Sequence, residues 1–511
     1  MQVFDRTRNT RRNIVWGFAG KAVSVLGPFV TRTFLIYCLG AEYLGISSLY
    51  TSILSVLSLA ELGFSTAVVQ GMYKPVADGD VRQVAAYLNY FKIVYRWVGV
   101  AILAMGLVIL PLLGFLVRGA WPADVDMQLA FLSYLGNTVI GYFMFAYKQS
   151  LLNAYQRVDI ANKVGMLMLA CQCTLQVVLL VAAPNFYTYA LALPICTIAS
   201  NLLIARMTDR LLPEYSDQSL RTLKLGREER ADMRKKVAGL VFSQMCSATR
   251  DSLDNVFISA FIGLTAVACY SNYFVVMSGL LGVLGVFSAS MTAAVGNSVA
   301  VESKEKNFED LRLFVFLYAI PSIVFAACLL SCYQPFMVLW VGEALTLPFG
   351  LAVLMAIYFY VRTMGDMRTV YVNATGVWWE LRWRALAETI ANVVLNIVLV
   401  QLMGLYGVVL ATIISLFTIN FVYGSHLVFK YYFGLEKARK YYQDHALYLG
   451  VAVAVCAVTC LVVGLIPDGG VVQLLLKAVV ALLCSSALLL VVFARTARFK
   501  RALEFVRRVF S

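Results

Sequence analysis

Residues 97–117 read WVGVAILAMGLVILPLLGFLV, an apolar run without a single charge. At about 1.5 Å of rise per residue a helix of this length spans roughly 30 Å, the hydrocarbon thickness of a bilayer. Lipid offers no hydrogen-bond partner to an open backbone, so such a run is predicted to be a membrane-spanning helix. Comparable runs recur on both sides of it, at 13–38, 44–70, 127–147, 164–183, 186–205, 237–261, 266–295, 311–331, 349–372, 385–403, 405–429, 446–466 and 471–493. Composition agrees, with 61% hydrophobic and 14% charged residues and a mean hydropathy of +0.78. The expectation is an all-α polytopic membrane protein of about 14 transmembrane helices. The first run is too long for the core of a leader peptide and a second follows at once, so no cleavage is expected.

Charge orients the predicted spans, because Lys and Arg collect in cytoplasmic loops. With the N-terminus inside, the outer connectors 39–43, 115–125, 184–185, 332–348 and 467–470 hold one basic residue, Arg118. The inner side holds Arg6, Arg8, Arg11 and Arg12 before the first span. It also holds nine Lys or Arg against six acids across 206–236. Arg495, Arg498, Lys500, Arg501, Arg507 and Arg508 close the chain, so both termini are placed in the cytoplasm. The net charge of +14 thus reads as a topology and anionic-lipid signal rather than a nucleic-acid one. In the tail, apolar residues alternate with Arg at helical spacing, which predicts an amphipathic helix on the inner leaflet.

The connector 206–236 separates six spans from eight. A shift of 223 residues brings Leu39-Gly40 onto Ile262-Gly263, each at a short outer turn between two spans. The halves are offset by an even number of spans, so the repeat is expected to be parallel. The expected organisation is an N-terminal lobe at 1–205, the inter-lobe loop at 206–236 and a C-terminal lobe at 237–429. Spans thirteen and fourteen follow at 430–494, and the basic tail at 495–511.

No nucleotide-binding GxxxxGK[ST] loop occurs, the cysteines lie almost wholly within apolar spans, and the two histidines stand near inner ends. No metal or cofactor site is therefore expected. Outer connectors are short and lack histidine, which argues against a membrane glycosyltransferase or polymerase.

What stands out instead is charge inside the apolar runs, where it costs several kcal/mol and marks a polar path. Lys21 and Arg32, eleven residues apart, share one face of the first span. Arg250 and Asp254 share a face of the seventh with Asp251 beside it; Arg362, Asp366, Thr369 and Asn373 share a face of the tenth; Glu388, Asn392 and Asn396 line the eleventh. Glu61 stands within the second span and needs a cation, a proton or a cavity.

Arg32, the stretch Leu39-Gly40-Ala41-Glu42-Tyr43-Leu44-Gly45-Ile46, and Ser58-Leu59-Ala60-Glu61-Leu62-Gly63-Phe64 together resemble the opening of the polysaccharide transporter family. These are Wzx-type flippases of the multidrug, oligosaccharidyl-lipid and polysaccharide exporter superfamily. The resemblance implies an undecaprenyl-diphosphate-linked oligosaccharide as cargo, carried from the inner to the outer leaflet of a bacterial inner membrane. It implies alternating access, with a polysaccharide polymerase as a candidate partner. Basic side chains, and the arginine guanidinium above all, suit phosphate oxygens, so Lys21, Arg32, Arg250 and Arg362 are the expected diphosphate ligands. Asn272, Tyr273, Asn297, Asn373, Asn392 and Asn396 are candidates for the sugar-lining cavity. Glu61, Asp251, Asp254, Asp366 and Glu388 are candidates for coupling to H+ or Na+. Two sibling functions stay open, a peptidoglycan-precursor flippase and a multidrug or cation antiporter.

Overall fold

The computed structural model describes residues 6–216, 220–233 and 252–510, except 120, 146, 221 and 232. Helix dominates these residues and no strand occurs among them. Along the first part run α1 (Arg6–Cys38), α2 (Ala41–Leu57), α3 (Leu59–Asp78), α4 (Val81–Ile109), α5 (Met127–Phe143), α6 (Tyr147–Ala154), α7 (Val158–Ala182) and α8 (Phe186–Leu211). A helix α9 over 252–261 follows. The second part has α10 (Leu264–Val301), α11 (Lys304–Val341), α12 (Phe349–Thr363), α13 (Asp366–Thr375), α14 (Trp378–Met403) and α15 (Leu405–Ser415). Then come α16 (Gly424–Val428), α17 (Leu435–Gly464), α18 (Val471–Phe493) and α19 (Ala497–Phe510).

Local chemistry sets many of the helix ends. Asp80 accepts the Gln83 backbone N–H at 2.9 Å to start α4, and Asp126 accepts that of Leu129 at 2.8 Å to start α5. Gly79 and Gly376, at φ 72° and 73°, close α3 and α13 in the left-handed region.

Among the described residues, nine helices are long and apolar enough to cross a membrane, or ten if α5 and α6, bent by 51°, are taken as one span. All but the last two residues of the opening run fall within the span Val81–Phe115, which finishes as a tighter 3-10 turn from Leu110. The predicted second and tenth spans each fall on two helices rather than one. The second divides between α2 and α3 at Ser58, and the tenth between α12 and α13 at Met364 and Gly365. The predicted outer loop 332–348 is also corrected, because α11 continues to Val341 with Pro321 and Pro335 inside it. The predicted seventh span is described only from Ser252 onward.

The chain divides into two compact units, residues 1–268 and 269–511. In the first, α7 packs along α1 and α8, while α4 contacts α3 and α5. Its core centres on Tyr50, whose ring meets Phe131 and Tyr134 edge-on at centroid distances of 5.3 and 5.8 Å. Glycine permits the closest crossing, since a Cβ on Gly45 of α2 would stand 2.3 Å from the Leu264 carbonyl oxygen of α10. In the second unit, α11 packs on α12, α17 and α18, and α14 lies along α15.

Between α15 and α17 the chain winds as wide π-helix over Leu416–Tyr423 and again over Phe429–Phe433. Such segments are rare because their backbone bonds are poorly placed, and they persist where neighbours satisfy the loosened carbonyls.

Candidate functional site

Each unit carries a guanidinium within an apolar helix. In the first unit Arg32 is half-buried on α1, one turn beyond Pro28, and within electrostatic reach of the Tyr189 phenol of α8. Tyr134 of α5 donates to Ser47 Oγ of α2 at 2.9 Å beside it. Phe186 stacks between Tyr134 and Tyr189, with centroids at 6.3 and 6.1 Å, so rigid rings fix the phenols. Asp254 on α9 is buried in the same unit. Its neighbour Ser252 donates to Ser55 Oγ at 3.1 Å, and Asn255 donates to Ser52 Oγ at 2.9 Å.

In the second unit Arg362 occupies the last turn of α12, half-buried, and its Nη1 donates to the Tyr358 hydroxyl at 3.5 Å. Just past the break, Asp366 begins α13 and accepts a short hydrogen bond from Tyr318 of α11. The face on which the sequence places Arg362, Asp366, Thr369 and Asn373 crosses this turn. The turn at Met364 and Gly365 interrupts the steady rotation of a single helix, and Thr369 and Asn373 are solvent- or lipid-exposed.

A deeper polar seam runs between α13, α14 and the π-helical region. Arg368 of α13, 2% exposed, donates through Nη1 to the carbonyl oxygens of Asn420 at 2.7 Å and Phe421 at 3.2 Å, and to Ser425 Oγ at 3.0 Å. Its Nη2 donates to Asn420 Oδ1 at 3.0 Å, and Asn420 Nδ2 donates to Glu388 Oε2 at 2.9 Å. Arg384 pairs with the same carboxylate at 2.8 Å. Further along α14, Asn392 donates to Thr412 Oγ1 at 3.1 Å and Ser415 Oγ at 3.3 Å, and Asn396 donates to Asn392 Oδ1 at 3.2 Å. Glu388, Asn392 and Asn396 therefore form one seam, and Glu388 is held in an ion pair within it.

The remaining candidates are dispersed. Asn272 and Tyr273 on α10 are fully buried. The Tyr273 hydroxyl donates to Gln334 Oε1 at 2.6 Å and accepts the Leu347 backbone N–H at 3.2 Å, which ties α10 to α11 and to the connector that follows α11. Asn297 is exposed near the other end of α10. Arg250 and Asp251 lie outside the described residues, as do the side chains of Lys21 and Glu61.

Sequence reasoning passed over Arg368, Arg384, Tyr318 and His445. The spacing of four between Arg384 and Glu388 is a readable ion-pair signal, but Arg384 falls just before the predicted eleventh span. Tyr318 gives no such sign, because nothing in the linear pattern pairs it with Asp366.

No family model matches the sequence, and no curated protein matches it significantly. Solved structures do. The inward closed conformation of the lipid II flippase MurJ superposes with a TM-score of 0.65 at 15% identity, covering 94% of this chain and 99% of that one. The inward-facing conformation of a multidrug resistance MATE family transporter of the MOP superfamily gives 0.62 at 16% identity, covering 82% and 94%. A Vibrio cholerae MATE transporter, VcmN, gives 0.56 at 14% identity, covering 82% and 96%. The chain thus has the all-α fold shared by MATE transporters and the lipid II flippase MurJ.

Proposed function

We propose that this protein is a transporter that flips an undecaprenyl-diphosphate-linked oligosaccharide from the inner to the outer leaflet of a bacterial inner membrane, for cell-surface polysaccharide. The observation that carries the reading is the pair Arg32 and Arg362, one in each unit, each half-buried in an apolar helix beside tyrosine hydroxyls. Placing a cation there costs several kcal/mol, and binding an anionic headgroup is a function that offsets the cost. A diphosphate suits both the charge and the fork-shaped donor geometry of arginine. Lys21 and Arg250 extend the same role along their spans.

The lipid part of the cargo has a place as well. An apolar groove of about 420 Å³ runs between α17 and α18, where Ala446, Gly450 and Ala454 keep the floor low and Leu488 and Val492 form a wall. Isoprenoid chains bind such surfaces through dispersion contacts alone. Transport proceeds by alternating access, with Glu61, Asp251, Asp254, Asp366 and Glu388 as the acids available for ion coupling.

Lipid II is the second reading, favoured by the coverage of the MurJ likeness across nearly the whole of both chains. A binding comparison tests the anionic site. Undecaprenyl-diphosphate-linked oligosaccharide should raise the melting temperature of the purified chain, and neutral undecaprenol should not. R32Q and R362Q should each weaken that effect about tenfold in ligand concentration. Equal stabilisation by the neutral lipid contradicts the diphosphate site, and tighter binding of lipid II than of other sugar lipids selects the second reading.

A further inference from the structure

His445 of α17 is 5% exposed, and its Nε2 is buried with no hydrogen-bond partner among the described residues. Leaving such an atom unsatisfied costs about 1–3 kcal/mol, so its surroundings need an explanation. The imidazole lines a cavity of about 20 Å³, together with Tyr318 and Ser322 of α11, Tyr360 and Thr363 of α12, and Met364 at the helix break. That volume holds about one water molecule, and the hydroxyls around it supply the polar partners a buried water requires. Tyr318 is already the donor to Asp366 across the same cavity wall. Phe421, Tyr441 and Tyr448 pack edge-on to the imidazole at 4.8, 4.5 and 6.3 Å, which seals its other sides with aromatic rings.

The charged groups nearby are few and specific. On α17 the adjacent Asp444 is held by Arg312 of α11 at 2.7 Å and by Arg498 of α19 at 2.5 Å. From α13, Arg368 acts on His445 electrostatically, and Tyr360 and Tyr318 are the titratable groups on α12 and α11 at the cavity. Asp366 is the carboxylate connected to the cavity through Tyr318.

We propose that the cavity is a proton-relay site, in which one water joins His445 Nε2 to the Tyr318 hydroxyl and, through it, to the Asp366 carboxylate. In the relay, protonated Asp366 gives its proton to the Tyr318 oxygen, Tyr318 gives its hydroxyl proton to the water, and the water gives one of its own to the unprotonated Nε2 of His445. The carboxyl loses one proton, the imidazole gains one, and phenol and water end as they began. Because Met364 both lines the cavity and forms the break between α12 and α13, proton position biases the geometry of that break. The use of this relay in coupling rests on the transport reading above; its existence does not.

The chain contains two histidines, so ¹⁵N-histidine spectra of the full-length protein in nanodiscs show two pairs of imidazole signals, and H426Q assigns them. His426 is exposed on α16, between the two π-helical stretches, and serves as the reference. The relay predicts that the His445 titration is coupled to Asp366, so that D366N shifts its midpoint by about one pH unit. Y318F, which removes one oxygen and keeps the ring, should reduce the response to D366N by at least about half. His445 curves that superimpose in wild type and D366N, or a D366N response unchanged by Y318F, overturn the proposal. If the coupling is present and the protein flips no sugar lipid, the relay stands and the transport reading falls.

Discussion

Arg368 and Asn420 are joined twice, once from Nη1 to the Asn420 carbonyl oxygen at 2.7 Å and once from Nη2 to its side-chain Oδ1 at 3.0 Å. The pairing explains how a π-helical stretch persists in an apolar span. Widening the helix releases carbonyls from their regular bonds, and a buried guanidinium with a fan of donors gathers them. Gly365 and Gly424 make the niche, since a Cβ on either would stand 3.1 and 2.9 Å from the Arg368 guanidinium nitrogens. Arg368→Met is expected to destabilise the second unit by about 3 kcal/mol, by stranding those carbonyls and leaving Asn420 half-satisfied. Thermal unfolding in detergent reads the loss. Arg368→Lys should recover only part of it, because one ammonium cannot replace a planar fork.

Backbone proximity gives a second expectation. A Cβ on Gly407 would fall 2.0 Å from the Leu399 carbonyl oxygen, with no flexible side chain available to yield. Gly407→Ala is therefore expected to push α15 off α14 and to cost about 2 kcal/mol. Gly450→Ala, with open space around its Cβ, should be nearly neutral in the same melting experiment.

The C-terminal helix is fastened at its start. Asp444 receives Arg498 of α19 as well as Arg312 of α11, whereas the Arg501–Glu309 contact at 3.2 Å is exposed on both sides and adds little. Asp444→Asn should release α19 and raise its amide exchange by about tenfold, with little change in α14 and α15. Arg501→Gln should leave exchange in α19 within about twofold of wild type.

The fold class was legible because membrane spans announce themselves by length and hydropathy, as residues 97–117 do. The interruptions were not. Met364 and Gly365 contain no proline, and the break there reflects Arg368 and Asn420 filling the space beside Gly365, a contact between segments 52 residues apart in sequence. The π-helical stretch LFTINFVY is apolar apart from Thr418 and Asn420, a content that an ordinary helix carries equally well. At the candidate site, fourfold spacing placed Glu388, Asn392 and Asn396 on one face, because α14 is unbroken. The same reasoning joined Arg362 to Asn373 across a turn it did not foresee. Tyr318 and His445 escaped notice for a related reason: spacing assigns a residue to a face, and only packing supplies the face opposite.

In the proposed function the half-buried guanidiniums of Arg32 and Arg362 hold a diphosphate-bearing lipid. The direct measurement is the transbilayer movement of a fluorescent undecaprenyl-diphosphate-linked oligosaccharide in vesicles containing the purified chain, followed by quenching from one side. Protein-dependent flipping is expected, falling at least about tenfold in R32Q and in R362Q, with both variants folded and inserted normally. Flipping no faster than in protein-free vesicles, or undiminished in both variants, would contradict it.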